Sequence, residues 1–146
     1  MDIPARVRIL AAIQTGSVYY FQEETLSSAE SHYFVVLNKD PRSEEILILV
    51  CASSQIDKRR RIVEKLGFPA ETLVFISPSD YPLFTRDTVI DCNRAFEKTC
   101  QSLIEKLELG KLKTCTELMP LEIVQKLIQG VHLSTQVAEK IKKAKT

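Results

Sequence analysis

The sequence predicts an α+β fold: a small barrel or strongly twisted antiparallel sheet with C-terminal helices packed on it. Short apolar and aromatic runs separated by turn-forming residues recur through 17–92, as is typical of strands. Across 94–145, apolar residues instead recur at helical spacing. The chain has 146 residues, which suits a single domain over 1–146.

The N-terminal segment predicts a short helix and a first strand. Apolar residues near helical spacing indicate a helix within 3–13, and Gly16 follows as a stop signal. The aromatic run 18–21 has high β propensity and is typical of a strand. The serines and glutamates of 22–31 favour an exposed loop after it.

Two apolar runs, 32–37 and 45–51, predict a hairpin because the turn-forming residues 38–41 lie between them. The small residues 52–54 close its second strand. Segment 56–66 follows with four consecutive basic residues. A short basic helix and a long loop fit that segment equally well.

Two more strands are predicted before the helical region. The run 72–76 is apolar and follows a Gly-Phe-Pro break. Two prolines in 77–82 exclude regular structure from that connector. The run 88–92 then predicts the last strand of the sheet.

Three helices are predicted after the last strand. The first ends at Gly110, the second begins at Pro120 and stops at Gly130, and Ser134 caps the third. The apolar residues favour packing against the sheet over a membrane anchor. The residues at helical spacing are Phe96, Cys100, Leu103, Ile104, Leu107, Leu121, Val124, Leu127, Ile128, Val137 and Ile141.

Charge is balanced over the whole chain but not along it. The 20 Lys and Arg against 19 Asp and Glu leave a net charge of +1. Residues 17–50 nevertheless carry −4, whereas 55–65 carry +3 and the segment from residue 98 onward carries +4. Nucleic acid therefore stays a candidate ligand, but only through a local basic groove.

No motif predicts a cofactor, a metal site or a membrane span. The four cysteines form no C-x-x-C pair, only two histidines occur, and no glycine-rich phosphate loop is present. The opening Met1-Asp2-Ile3-Pro4 lacks the basic and apolar regions of a signal peptide. We therefore expect a cytoplasmic protein with reduced thiols, no cofactor and no membrane contact.

Four segments, in order, resemble the PemK/MazF toxins. That family has an opening G-D-x-[VI]-[WY] strand, a G-H-[RK]-P strand, a strand ending in [TS]-[TSA] and a strand ending in hydrophobic-D-Q-x-R. The matching segments are Gly16-Ser17-Val18-Tyr19-Tyr20, Ser31-His32-Tyr33-Phe34, Cys51-Ala52-Ser53-Ser54 and Val89-Ile90-Asp91-Cys92-Asn93-Arg94. The resemblance covers 16–97 and implies an SH3-like barrel there, with 98–146 as a helical extension.

The resemblance implies a homodimer that binds single-stranded RNA, cleaves it without metal through 2′-hydroxyl attack, and has an antitoxin protein as partner. The family's [RK]-P pair is Tyr33-Phe34 here, and Ser53 stands at its Thr position. An active ribonuclease and a catalytically degenerate protein-interaction or regulatory module therefore both stay open. A third interpretation is an unrelated small α+β domain.

The candidate catalytic residues are His32, Ser53 and Arg94. An imidazole exchanges protons near neutral pH, a serine hydroxyl can contact phosphate, and a guanidinium can hold phosphate through two hydrogen bonds. The candidate substrate-binding residues are Ser54, Lys58, Arg59, Arg60, Arg61 and Asp91.

Each of these assignments has a structural alternative. His32 can instead be a strand-entry residue bonded to the backbone, and the serines can form a turn or cap. Arg94 can instead form a salt bridge with Asp91 or Glu97, and the basic run can be a solvated surface. No aromatic residue interleaves with that run, which argues against a stacking surface there.

Overall fold

The sheet has six strands, and every neighbouring pair is antiparallel. This computed structural model describes residues 3–144, and the side chains of 3–142. The strands are β1 (Val18–Phe21), β2 (His32–Val36), β3 (Ile46–Ser53), β4 (Leu73–Ile76), β5 (Thr88–Thr99) and β6 (Leu112–Thr114). Their spatial order is β4-β5-β3-β2-β1-β6. Within the described residues β4 and β6 are unpaired edges, so the sheet is open and is not a closed barrel.

The helices cover this sheet, and the prediction of C-terminal helices packed on it is confirmed. They are α1 (Ala5–Ala12), α2 (Ile56–Leu66), α3 (Cys100–Glu108), α4 (Leu121–Leu133) and α5 (Glu139–Ala144). The segment that fits a helix or a loop is the helix α2. It ends at Gly67, whose φ of 71° is the left-handed conformation that glycine adopts readily.

Both faces of the sheet are buried. Leu47 and Leu49 of β3 belong to one core with residues of α1 and α3. Ile48 and Val50 belong to a second core with residues of α4 and α5. Successive strand residues point to opposite faces, so this double burial explains why β3 is a continuous apolar run and does not alternate.

Strand β5 is longer than the sequence predicts. The apolar spacing predicts a helix from residue 94, whereas β5 continues to Thr99 and α3 begins at Cys100. Residues 95–99 pair with β3, and the backbone hydrogen bonds of that long-range ladder override the helix-like spacing. The Thr99 hydroxyl then accepts a hydrogen bond from the Ser102 amide at 3.0 Å and caps α3.

A further strand, β6, follows α3, so the prediction that 88–92 is the last strand is wrong. Three residues of β6 pair with the edge of β1, and only Leu112 among them is buried. A segment this short has no recognisable periodicity, and its conformation depends on the strand beside it.

Helix α4 passes through Gly130 and ends at Leu133, so the prediction of a helix stop at Gly130 is wrong. Gly130 instead packs against Cys92: a Cβ added there would lie 2.8 Å from Cys92 Sγ. Ser134 follows α4 and does not begin the next helix, because α5 starts at Glu139. Its hydroxyl donates a hydrogen bond to Asn93 Oδ1 at 2.7 Å.

Among residues 3–144, no helix combines the length and apolar character needed to cross a bilayer. The longest helix of this part of the chain, α4, has 13 residues. Met1, Asp2 and Lys145, which the predictions for the chain ends include, lie outside the described residues.

Candidate functional site

A cavity of about 430 Å³ opens at the end of the sheet where β2 begins and β3 ends. Its walls come from the β1–β2 connector, the start of α2 and the β4–β5 connector. Six of the predicted site residues line it, namely His32, Ser53, Ser54, Lys58, Arg59 and Arg94. The other three, Arg60, Arg61 and Asp91, do not line it.

The β1–β2 connector forms a wall that is attached to the sheet. Glu23, at its start, is buried and forms an ion pair with Lys98 of β5 at 2.5 Å. The Thr25 hydroxyl donates a hydrogen bond to the other carboxylate oxygen of Glu23 at 2.6 Å. Of the residues that follow, 26–28, 30 and 31 line the cavity.

Sheet register brings His32 and Ser53 to the same end of the sheet. Phe34 of β2 pairs with Cys51 of β3, so His32 and Ser53 each lie two residues beyond that pair in the same direction. The Ser53 hydroxyl oxygen accepts a hydrogen bond from the Gln55 amide at 3.1 Å, which is the predicted serine turn. Its O–H can still donate toward the cavity.

His32 carries a buried ring nitrogen, Nδ1, that has no hydrogen-bond partner among the described residues. A backbone hydrogen bond, the structural alternative for this histidine, is therefore absent at that atom. Buried polar atoms in folded proteins nearly always have a partner. His32 also lines the cavity, so its imidazole lies beside any ligand bound there, although Nδ1 itself is buried.

Arg94 reaches the cavity because β5 bulges. Val50 pairs with Ala95 and Ala52 pairs with Ile90, so a single residue of β3 lies opposite residues 91–94 of β5. Bulges re-aim side chains and are frequent beside active sites. The local sequence has no glycine or proline at 91–94 that would indicate this bulge.

The Arg94 guanidinium has no carboxylate within 4 Å in the part of the chain with described side chains. The salt bridge with Asp91 or Glu97, the structural alternative for Arg94, is therefore not formed. Its Nε is buried without a hydrogen-bond partner, and burial together with nearby Arg59 lowers the pKa of Arg94. An anion bound here would relieve the cost of this unpaired charge.

Arg59 is held by a buried polar network outside the cavity. Its Nη1 lies 3.5 Å from Oδ2 of Asp91, which is 4% exposed. Asn93 donates to Oδ1 of Asp91 from its side-chain amide at 2.9 Å and from its backbone amide at 3.0 Å. Asn93 also donates to Thr72 at 2.8 Å and accepts from Ser134. Asp91, predicted to bind substrate, thus positions Arg59 instead.

Replacing Asn93 with Ala should lower the free energy of unfolding by about 1–2 kcal/mol, because Thr72 and Ser134 lose a buried partner. Urea denaturation followed by circular dichroism measures the change. The exposed Gln129→Ala on α4 is the control and should stay within about 0.5 kcal/mol of the parent. Equal stability of the Asn93 and Gln129 variants would show that the network contributes nothing.

The basic run of α2 divides between two surfaces. Lys58 and Arg59 line the cavity. Arg60 instead lies over the Phe75 ring, 5.2 Å from its centre, and Arg61 is exposed. Helical geometry explains the division, because consecutive helix residues lie about 100° apart around the axis. Four adjacent cations in sequence therefore contribute two cations to the cavity.

The cavity also has an aromatic wall, which the sequence did not predict. Tyr20 and Tyr33 are paired across β1 and β2, with ring centres 4.6 Å apart. Phe84 of the β4–β5 connector lies 5.3 Å from Tyr33, and all three line the cavity. Arg86 from the same connector also lines it. Tyr20 and Tyr33 lie in continuous apolar runs that do not show which face they occupy, and Phe84 and Arg86 lie in a connector without a motif.

Cys51 lines the cavity but is not a nucleophile at neutral pH. Burial raises the pKa of its thiol to about 12, and nearby Arg94 and Arg59 oppose this shift only in part. The reactive form of cysteine is the thiolate. The side chain therefore acts as a small apolar part of the wall.

The side chains of 3–142 contain no cluster of three His, Cys, Asp or Glu residues that could hold a metal ion. No protein-family model and no curated protein matches the sequence. The cavity therefore has to be interpreted from its own residues: four cations, one histidine, two serines at the end of β3 and an aromatic wall.

Proposed function

We propose that the cavity binds single-stranded RNA, with a backbone phosphate at Arg59 and Arg94 and a base against Tyr33. The observation that carries this proposal is the lining itself. Lys58, Arg59, Arg86 and Arg94 line the cavity, whereas Glu30 is the single carboxylate among its described lining residues. An excess of cations next to aromatic rings is the combination that single-stranded nucleic acid requires.

The phosphate position follows from the two guanidiniums. Among the described side chains, Arg94 has no carboxylate partner within 4 Å, and Asp91 forms an ion pair with Arg59. Arginine forms paired hydrogen bonds with phosphate oxygens, and such charge-assisted bonds are stronger than neutral ones. Lys58 and the first turn of α2 add positive potential on the same side of the cavity.

The base position follows from the aromatic residues that line the cavity. Tyr20 and Tyr33 line the cavity and are partly exposed, whereas Phe84 is 3% exposed and packs against Tyr33. Base stacking on aromatic side chains tolerates any base. Bases in a duplex are stacked on each other and cannot enter a pocket. The cavity should therefore prefer single strands over duplexes.

His32 extends the proposal to cleavage, in line with the resemblance to PemK/MazF toxins. The imidazole takes the proton of the ribose 2′-hydroxyl, and the 2′-oxygen attacks the adjacent phosphorus. The bond from phosphorus to the 5′-oxygen breaks, and that oxygen takes a proton from water. The products are a 2′,3′-cyclic phosphate and a 5′-hydroxyl. Arg59 and Arg94 stabilise the negative charge of the pentacoordinate phosphorus.

Binding can be measured by fluorescence polarisation with a labelled single-stranded RNA and with the duplex of the same sequence. We expect the single strand to bind more tightly, with an affinity that falls as salt rises. Absence of binding at low salt, or equal affinity for the duplex, would contradict the proposal. The first of these outcomes is the one that a protein-interaction module predicts.

Cleavage is tested by incubating the protein with long single-stranded RNA in EDTA and identifying cyclic phosphate ends. His32→Ala should lower the cleavage rate by about 100-fold or more while RNA binding persists. The matched control is His132→Ala, which removes an exposed histidine of α4 outside the cavity and should leave the rate unchanged. Equal rates for the two variants would remove His32 from the reaction.

The homodimer and the antitoxin partner implied by the resemblance stay predictions. The same holds for the cytoplasmic location. Size-exclusion chromatography with light scattering tests the homodimer directly, because a dimer has twice the 16.6 kDa mass of one chain.

A further inference from the structure

A second cavity of about 450 Å³ adjoins the first. The two share Leu26 and Arg94 as lining residues, so the Arg94 side chain lies at their junction. We propose that the two cavities form one groove for two consecutive nucleotides, with Arg94 under the phosphodiester that joins them. This inference rests on the proposed function and adds the length of the recognised strand and the role of Arg94 in it.

The lining of the second cavity fits an uncharged, planar group. Phe96, Val137 and Ile141 supply apolar surface, and Arg94 is the one charged side chain among its described lining residues. A second phosphate would have no cation there, whereas a nucleobase buries its ring faces on apolar groups. Gln136 and Thr25 offer polar atoms for the edges of the base.

The position of Arg94 fits the linking phosphate. Its guanidinium lacks a carboxylate within 4 Å in the described chain, and its Nε lacks a hydrogen-bond partner. A phosphodiester has two unesterified oxygens, which match the paired N–H groups of a guanidinium. With its phosphate at Arg94, a strand would place one base beside Tyr33 and the other beside Phe96.

The test compares two probes. One is a uridine 3′-monophosphate, and the other is a dinucleoside monophosphate of uridine whose first sugar lacks the 2′-hydroxyl and therefore cannot be cleaved. Calorimetric titration of the intact chain should show the dinucleotide binding about tenfold or more tightly, because it adds one base to the second cavity.

A bulky side chain in the second cavity provides the matched variant. Ala138 is exposed and lines that cavity, so Ala138→Trp should remove the dinucleotide advantage and leave the mononucleotide affinity unchanged. Lys140→Trp places the same ring two residues further along, at an exposed position that lines neither cavity, and should keep the advantage. Retained mononucleotide binding also shows that each variant is folded.

The outcomes separate this inference from the function on which it rests. Equal affinity of the parent chain for both probes would overturn the two-nucleotide groove and leave the first cavity as an RNA site. An advantage that survives in Ala138→Trp would overturn it as well. Failure of both probes to bind the parent chain would overturn the proposed function together with the groove.

Discussion

Replacing Arg94 with Gln is expected to weaken binding of single-stranded RNA by about 100-fold, because two charge-assisted hydrogen bonds to phosphate are lost. Cleavage should fall further, by about 1000-fold, since the guanidinium also stabilises the charge that develops at phosphorus. Fluorescence polarisation measures the first effect, and the initial rate of cyclic phosphate formation measures the second.

The matched control removes the same charge elsewhere. Arg61 is exposed on α2 and lines neither cavity, so Arg61→Gln should change RNA affinity by less than about threefold at physiological salt. Arg94→Lys should fall between the parent and Arg94→Gln, because an ammonium keeps the charge but not the paired geometry. Equal losses for Arg61→Gln and Arg94→Gln would indicate diffuse electrostatic attraction and would contradict a cavity site.

Stability offers an independent measure of what Arg94 does. A half-buried guanidinium without a carboxylate partner costs stability, so Arg94→Gln should leave the free energy of unfolding unchanged or raise it. A structural arginine would behave in the opposite way, because its loss leaves a partner unpaired. Urea denaturation of the same preparation used for RNA binding therefore separates the two roles.

Replacing Gly130 with Ala should destabilise the fold by about 2–3 kcal/mol. The added Cβ would lie 2.8 Å from Cys92 Sγ, 2.9 Å from Cys92 Cβ and 3.0 Å from the Glu71 carbonyl oxygen. Helix propensity alone predicts the opposite sign, since alanine is favoured over glycine by about 1 kcal/mol in a helix interior. The midpoint of urea denaturation gives both sign and size.

Partial rescue should follow from a second substitution. Cys92→Ala removes the sulfur that the new methyl group meets, so its cost should be smaller in the Gly130→Ala background than in the parent. The Glu71 carbonyl belongs to the backbone and cannot be removed, so rescue stays incomplete. A Gly130→Ala variant more stable than the parent would show that α4 does not pack this closely on β5.

Local patterns predicted most of the secondary structure. The runs at β1 and β2 are rich in β-branched and aromatic residues, and β3 begins with a continuous aliphatic run. Turn-forming residues flank these runs, so neighbouring residues alone indicate strands. The end of β5 and all of β6 depend on hydrogen bonds to β3 and β1. Those hydrogen-bond partners are distant in sequence, so a local sequence pattern cannot predict them.

The candidate site was likewise predicted only in part from the sequence. His32, Ser53 and Arg59 were predicted from side-chain chemistry and from motif order, and the structure places them in one cavity. Phe84 and Arg86 were missed because they lie in a connector with no motif of its own. Side-chain chemistry indicates which residues can meet a phosphate, but not which of them share a cavity.

By itself, the sequence determined the α+β class, the order of most strands and helices, and the chemistry available to the site. Apolar spacing and turn residues act over a few neighbouring positions, so both can be recognised in the sequence alone. Only the tertiary structure decided that the sheet stays open, that β5 bulges beside Arg94, and that Asp91 holds Arg59 from outside the cavity. Each of these features depends on packing and strand pairing between segments that are distant in sequence. Such contacts form only when the whole chain folds.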